Sequence, residues 1–373
     1  MISRFIESQI KNDFFTGKAI VVLGPRQVGK TTLIQNILKE KKYLFLNADD
    51  LSVRRMFHEP DSFRLEQIIG TNNIVFIDEA QRLPDVGITL KIITDLFKGV
   101  QLIVTGSSAL ELSNQTNEPL TGRKWEYLLY PICWSEFEKN VGFIDSEKQL
   151  EHRLIYGMYP DVISHPGKEK ETLRQLANSY LYKDILALAN IRKPELLERL
   201  LQALALQTGS EVSYNELAQL LQIDKNTIMT YLDLLEKAFI IFRLRSFSRN
   251  LRNEIKNNRK IYFWDNGIRN IILANLNPIE LRHDKGALWE NFLISERLKI
   301  LQYHKTLANS FFWRTTQQQE IDYVEESNGN IHAYEFKWKD DGRSRIPGSF
   351  EKAYGATGKV VNRNNFREFL EKG

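Results

Sequence analysis

The chain has 373 residues, more than one ordinary core holds, and three domains are expected: 1–160, 161–245 and 246–373. Hydrophobic residues at 42% and charged residues at 26% are those of a globular chain, and no apolar run approaches the roughly 18 residues that a membrane span needs. The single cysteine, Cys133, excludes an internal disulfide and a zinc cluster, while the net charge of +4 hides an asymmetry: residues 241–373 carry 23 Lys or Arg against 16 Asp or Glu, the rest 28 against 31.

The N-terminus, Met1-Ile-Ser-Arg-Phe-Ile-Glu7, interrupts its apolar pattern with charge and lacks a signal-peptide core, so a cytoplasmic location with no membrane partner is expected. Ile2, Phe5, Ile6 and Ile10 follow a helical period and predict a short helix packed on a sheet. Ala19 to Leu23 then reads as a buried strand. It leads into Gly24-Pro25-Arg26-Gln27-Val28-Gly29-Lys30-Thr31, which satisfies G-x-x-x-x-G-K-[ST] and is followed by Thr32 and a helical run. Loop amides and a helix N-terminus point at phosphate oxygens in such a loop, and the two glycines let the backbone approach them. Lys30 is expected to neutralise the β and γ phosphates of ATP, and Thr31 to place its hydroxyl on a magnesium ion.

Ile74-Val-Phe-Ile-Asp78-Glu79 is an apolar strand ending in two acids, the way a parallel strand delivers carboxylates to its C-terminal edge. Asp78 is the expected magnesium partner and Glu79 the group that polarises the attacking water. Tyr43 to Asn47 reads as a further strand, and Asp49-Asp50 as acids at a helix start rather than a metal site. Gln101 to Thr105 continues the α/β alternation and ends in Thr105-Gly-Ser-Ser108, where Ser107, and Thr105 after it, are candidates to sense the γ phosphate; a plain turn reads the same way. Arg123, after Thr121-Gly, is a candidate arginine finger for a neighbouring subunit, which would require a homo-oligomer; a solvated arginine at a turn is the simpler reading.

From Pro131 to about Leu188 the pattern is mostly helical, interrupted by Gly157-Met-Tyr-Pro160, and is expected to form a helical lid. Ser213-Tyr-Asn-Glu216 is an N-cap followed three residues on by glutamate. With the helix from Asn226 and the apolar Phe239 to Phe247 behind it, it predicts a winged-helix-like middle in which Lys225, Asn226, Thr227 and Thr230 are candidate DNA contacts. Arg243, Arg245, Arg249, Arg252, Lys256, Arg259 and Lys260 follow within one short span beside Phe247, a candidate phosphate-contacting surface for DNA more than RNA, or a solvated linker.

In the last part, Gly286 to Leu298 reads as an amphipathic helix, with three strands around Phe311 to Trp313, Gln319 to Val324 and Ile331 to Trp338. Alternation puts Glu335 and Lys337 on one strand face, and with Asp322 and Glu290 they form a set able to hold a second magnesium or manganese ion against a phosphodiester. An ion pair across the strand face explains Glu335 and Lys337 equally well.

Taken together, Gly24 to Thr31, Asp78-Glu79, Thr105 to Ser108, Gly157 to Pro160 and the winged-helix-like segment resemble a prokaryotic family of AAA+ superfamily ATPases, over nearly the whole chain. The resemblance implies an α/β P-loop NTPase domain, a parallel sheet with helices on both faces, followed by a domain of unknown function whose last part is similar to the PD-(D/E)XK nuclease fold. It matches Asp322, Glu335 and Lys337 to that fold's motif and Glu290 to its first-helix acid. The expected activity is magnesium-dependent ATP hydrolysis coupled to DNA. The alternative is a nucleotide-switched regulator or scaffold without nuclease activity.

Overall fold

The structure, a computed structural model, describes residues 2–107, 120–178, 194–248, 259–315, 317–339 and 346–371. Ser108 and, from the basic run, Arg249, Arg252 and Lys256 lie outside these residues. The chain divides into two compact units: Met1–Ile132 with Lys237–Phe239, and Cys133–Glu236 with Ile240–Gly373.

The first unit is built on a five-stranded sheet in the order β2-β3-β4-β1-β5, with every pairing parallel. Its strands are β1 (Ala19–Leu23), β2 (Leu44–Asn47), β3 (Ile74–Asp78), β4 (Gln101–Gly106) and β5 (Lys124–Leu128). β1, β3 and β4 are buried along their whole length, as continuous apolar runs must be when helices cover both faces of a sheet. Burying each of Val22, Phe76 and Ile103 contributes about 1.5–3 kcal/mol, which fixes these runs as central strands. The helices include α1 (Ile6–Asn12), α2 (Lys30–Ile37), α3 (Leu51–Met56), α4 (Ser62–Ile69) and α5 (Val86–Leu96). Asp50 caps α3 by accepting from Ser52 N at 2.8 Å, and Asp49 faces Arg54 and Arg82, so these paired acids serve a helix start.

The second unit carries a seven-stranded mixed sheet, β12-β11-β10-β9-β7-β8-β6. Its strands are β6 (Glu211–Val212), β7 (Ile241–Ser246), β8 (Arg259–Phe263), β9 (Asn309–Arg314), β10 (Glu320–Ser327), β11 (Asn330–Phe336) and β12 (Thr357–Val361). β7 pairs with β9 through Arg245 to Phe311 and Ser246 to Phe312, so the expected boundary at 245/246 falls inside one sheet and separates nothing. α6 (Trp134–Val141) and α7 (Phe143–Tyr156) belong to this unit, because the Trp134 ring packs on Phe292 and Phe366 at centroid distances of 5.8 and 5.6 Å. The helices expected as a lid on the first unit therefore close the core of the second; α8 (Pro160–Ser164) and α9 (Glu169–Leu176) continue them.

Next come α10 (Pro194–Leu206), α11 (Tyr214–Leu221) and α12 (Lys225–Lys237), the last two interleaved with β6, β7 and β8. Ser213 caps α11 by accepting from Glu216 N, as its spacing predicted. The three strands pair antiparallel in the order β6-β8-β7. α13 (Asn266–Ile272) leads to α14 (Lys285–Tyr303), which is followed by the antiparallel β9, β10 and β11, then α15 (Gly348–Tyr354), β12 parallel to β11, and α16 (Phe366–Glu371).

α14 contains the amphipathic helix that its pattern predicts over Gly286 to Leu298, but it is buried on its polar side too. Its polar residues Asn291, Glu296, Arg297 and Lys299 are as buried as Leu293 and Ile294. Each finds a partner inside: Asn291 bonds both backbone groups of Phe263, Arg297 forks onto Glu325 at 2.7 and 2.8 Å, and Lys299 reaches Glu296 at 2.7 Å. Buried charge persists only when paired, and a sequence pattern cannot distinguish pairing from exposure.

Candidate nucleotide site and an acid cluster

The parallel register of the first sheet brings the C-terminal ends of β1, β4 and β3 to one edge, with Leu23 opposite Gly106 and Ile77 opposite Val104. The loop Gly24–Gly29 leaves β1 there. At Gly24, φ is +155°, and an added Cβ would stand 2.0 Å from the carbonyl oxygen of Leu129, so no other residue fits. Gly29, at φ +90°, turns the chain into α2. Pro25 and Val28 are buried beneath the loop, Arg26 is half-buried, and Gln27 and Thr32 are exposed.

Lys30 lies 5% exposed, its ammonium donating to the carbonyls of Gly24 at 3.0 Å and Pro25 at 2.9 Å. Burial lowers its pKa to about 8, against the opposing pull of Glu79 and Asp78. The Thr31 hydroxyl donates to the Asp78 carboxylate at 2.9 Å. Thr105 also donates to Asp78, and its oxygen accepts from Glu79 N at 3.2 Å. Burial pushes the Asp78 carboxyl above its usual range, with the bonds from Thr105 and Thr31 opposing the rise and the charge of Glu79 adding to it. Thr105, the second choice for a γ-phosphate sensor, is thus held on Asp78. Ser107, the first choice, accepts from the amide of Gln81 at 3.0 Å, and that amide also holds Glu79. Gln81 was not singled out from the sequence; its place two residues after Glu79 was the available signal.

These residues fit magnesium-ATP. A hydroxyl and a carboxylate converge at one point, a buried ammonium rests on loop carbonyls that a polyphosphate would replace, and the loop admits no side chain at Gly24. Arg123 stands elsewhere. It precedes β5, whose Lys124 pairs with Ala19 at the start of β1, about 15 Å along the strands from the loop. Its guanidinium donates to Asp95 at 2.7 Å.

In the second unit, Lys260 and Tyr262 of β8, Glu290 of α14, Glu320 and Asp322 of β10 and Glu335 of β11 come together. Lys260, 1% exposed, lies 3.1 Å from Glu290 Oε1 and 2.5 Å from Glu320 Oε1, and the Tyr262 hydroxyl donates to Glu290 Oε1 at 2.6 Å. Burial pulls the Lys260 pKa down, but Glu290, Asp322 and Glu320 outweigh it and hold it above its usual range. Burial drives the Asp322 carboxyl well above its usual range, and the charges of Glu290 and Glu335 drive it further while Lys260 opposes. Phe336 N donates to Asp322 at 2.8 Å, and Lys337 donates to Glu335 at 2.8 Å. The sequence thus named acids that do meet. Among the described residues, however, no group of three His, Cys, Asp or Glu side chains is arranged to hold a metal ion.

The candidate nucleic-acid contacts divide. Lys225, Asn226 and Thr230 are exposed on α12, whereas Thr227 is drawn to Asp224, donating to it through its amide at 3.0 Å. Within the basic run Arg245 is exposed, Arg259 is half-buried, Arg243 is paired with Asp233 at 2.7 Å and with Glu236, and Lys260 is consumed by the acids. Neither Arg243 nor Lys260 is therefore a phosphate contact. No helix among the described residues is long and apolar enough to cross a membrane.

Residues 16–138 match the family model described as an AAA domain, and residues 147–279 and 285–373 match two domains of unknown function, DUF8612 and DUF4143. An uncharacterised protein of Mycobacterium tuberculosis is 25% identical, covering 88% of this chain and 72% of the relative, and one of Haemophilus influenzae is 27% identical, covering 82% and 78%. In structure the chain is similar to a Walker-type ATPase of Pyrococcus abyssi, with a TM-score of 0.51 and 17% identity over 73% of this chain and 96% of that one. The sheet, the loop and these matches agree on a P-loop ATPase domain at the N-terminal end of the chain.

Proposed function

We propose that the first unit binds magnesium-ATP and hydrolyses it, and that the second unit binds DNA without cutting it. The observation that carries the first half is the convergence of the Thr31 hydroxyl and the Asp78 carboxylate, 2.9 Å apart, beside the buried Lys30 ammonium. Bound magnesium-ATP supplies the phosphoanhydride and a cation that draws charge off the γ phosphate. Lys30, which donates to the carbonyls of Gly24 and Pro25, would neutralise the β and γ phosphates. Thr31 and Asp78 would hold the cation, Glu79 would accept a proton from the attacking water, and Ser107 would sense the γ phosphate.

For the second half, the order α10, β6, α11, α12, β7, β8 with strands paired β6-β8-β7 supports a winged-helix reading, and the exposed Lys225, Asn226, Thr230 and Arg245 supply the contacts. A helix, a three-stranded meander, a helix and a parallel strand supports likeness to the PD-(D/E)XK fold from α14 to β12. Against metal-dependent cleavage by Glu290, Asp322, Glu335 and Lys337 stands Lys260, which already balances the acids a second magnesium or manganese ion would need. The discriminating experiment measures phosphate release from ATP with and without duplex and single-stranded DNA. Release that requires magnesium and rises with DNA supports both halves; release indifferent to DNA leaves only the first, and no release removes it.

A further inference from the structure

Gln81 stands on the short turn Ala80–Arg82 that follows the acids of β3, and it is 7% exposed. Its side-chain nitrogen donates to Glu79 Oε2 at 2.5 Å and to Ser107 Oγ at 3.0 Å. Chemistry fixes which way round the amide lies: a carboxylate only accepts, so the nitrogen must face Glu79. One buried amide therefore links the end of β3 to the end of β4. These are the two strand ends that carry the proposed water-polarising acid and the proposed phosphate-facing hydroxyl.

Packing alone does not explain a glutamine here. Its Oε1 is buried without a hydrogen-bond partner among the described residues, a cost that leucine or methionine of similar volume would avoid. The two bonds from its nitrogen are what the side chain contributes. Glu79 itself adopts φ +52°, a left-handed conformation that a residue with a Cβ seldom takes, so its side chain leaves the strand end at an angle the turn imposes. A carboxylate on such a turn needs a second anchor to stay aimed.

We infer that Gln81 is a positioning residue for hydrolysis: it aims the Glu79 carboxylate and couples it to Ser107 through a single amide. The inference rests on the ATPase reading above. General-base catalysis depends on the base lying within hydrogen-bond reach of the water it deprotonates, so a carboxylate that swings freely loses rate without loosening the nucleotide. The hydrogen bonds of the Gln81 amide go to Glu79 and Ser107 and not to Lys30 or Thr31, so its loss is expected to leave nucleotide affinity unchanged.

The test uses the full chain with Gln81→Met, which keeps volume and removes both donors, and Gln81→His, which restores an N–H donor at similar reach. In Gln81→Met, kcat falls about 10- to 100-fold while KM stays within about twofold, and Gln81→His regains part of the loss. A fluorescent, non-hydrolysable ATP analogue binds wild type and Gln81→Met equally. Without any nucleotide, the side-chain amide signal of Gln81 in 15N-labelled protein, assigned by its loss in Gln81→Met, shifts in both Glu79→Ala and Ser107→Ala. Undiminished kcat in Gln81→Met, a rise confined to KM, or an amide signal indifferent to both alanine variants overturns the inference while wild-type turnover keeps the ATPase reading intact. Absence of wild-type hydrolysis removes that reading and this role with it.

Discussion

Lys260 and Glu290 face each other at 3.1 Å across the interior of the second unit, and the same ammonium reaches Glu320 at 2.5 Å. A cation tethered by its own side chain thus occupies the charge-balancing place among these acids. Linear, nicked and single-stranded DNA, and RNA, are accordingly expected to survive incubation with magnesium or manganese, with or without ATP. Cutting by the wild type that disappears in Asp322→Ala and Lys337→Ala would establish a metal site instead. Removing the balance by Lys260→Met should lower stability by about 3–5 kcal/mol, read from urea unfolding, because acids would stay buried without their partner.

The buried Asp322 gives a pH dependence of unusual sign. Its folded-state pKa is raised, so the native chain holds a proton that the unfolded chain releases, and stability contributed by this site falls as pH rises above about 4. Asp322→Asn retains an acceptor for Phe336 N without the charge. It should be more stable than wild type at pH 7, and the gap should close as pH falls toward 4. A gap that widens on acidification would contradict the assignment.

At the nucleotide site, Lys30→Ala removes the buried loop cation and should abolish tight ATP binding. Glu79→Gln keeps the shape, binds ATP and should lose at least about 100-fold in kcat. Equilibrium binding of labelled ATP beside phosphate release separates the two outcomes. Hydrolysis unchanged in both variants would dismiss the site.

Arg123 lies at the sheet edge away from the loop and is held by Asp95, so it cannot serve the nucleotide of its own sheet. If it acts, it acts on a neighbouring subunit. Mixtures of Arg123→Ala and Lys30→Ala chains should then recover part of the activity that each lacks. A monomer with full turnover, seen by sedimentation alongside the assay, would exclude the role.

DNA affinity should fall steeply with salt. Lys225→Ala and Arg245→Ala, both at exposed positions, should each flatten the slope of log K against log salt by about 1. Arg243→Ala should leave that slope alone, since its charge is already matched by Asp233 and Glu236. An unchanged slope in the first two variants would remove α12 and β7 from the interface.

The nucleotide loop, its acids and the strands beneath them were legible in the residues themselves. Gly24 to Thr31 form a motif that a few adjacent positions encode, Asp78 and Glu79 end an apolar run, and fully buried parallel strands leave such runs unbroken. The cap at Ser213 was legible for the same reason. What the local pattern could not hold was anything depending on partners far along the chain. α14 read as amphipathic, with Asn291, Glu296 and Arg297 among its polar residues, yet the partners of these three are brought in by folding from Phe263, Trp134 and Glu325. Lys260 read as one more surface charge in a basic run, and only the pairing of β8 within the sheet carries it to Glu290 and Glu320. The acids of the second unit were named correctly as neighbours, but which cation balances them is decided by strand order. Charge in a sequence states what must be compensated; only the tertiary structure decides by whom.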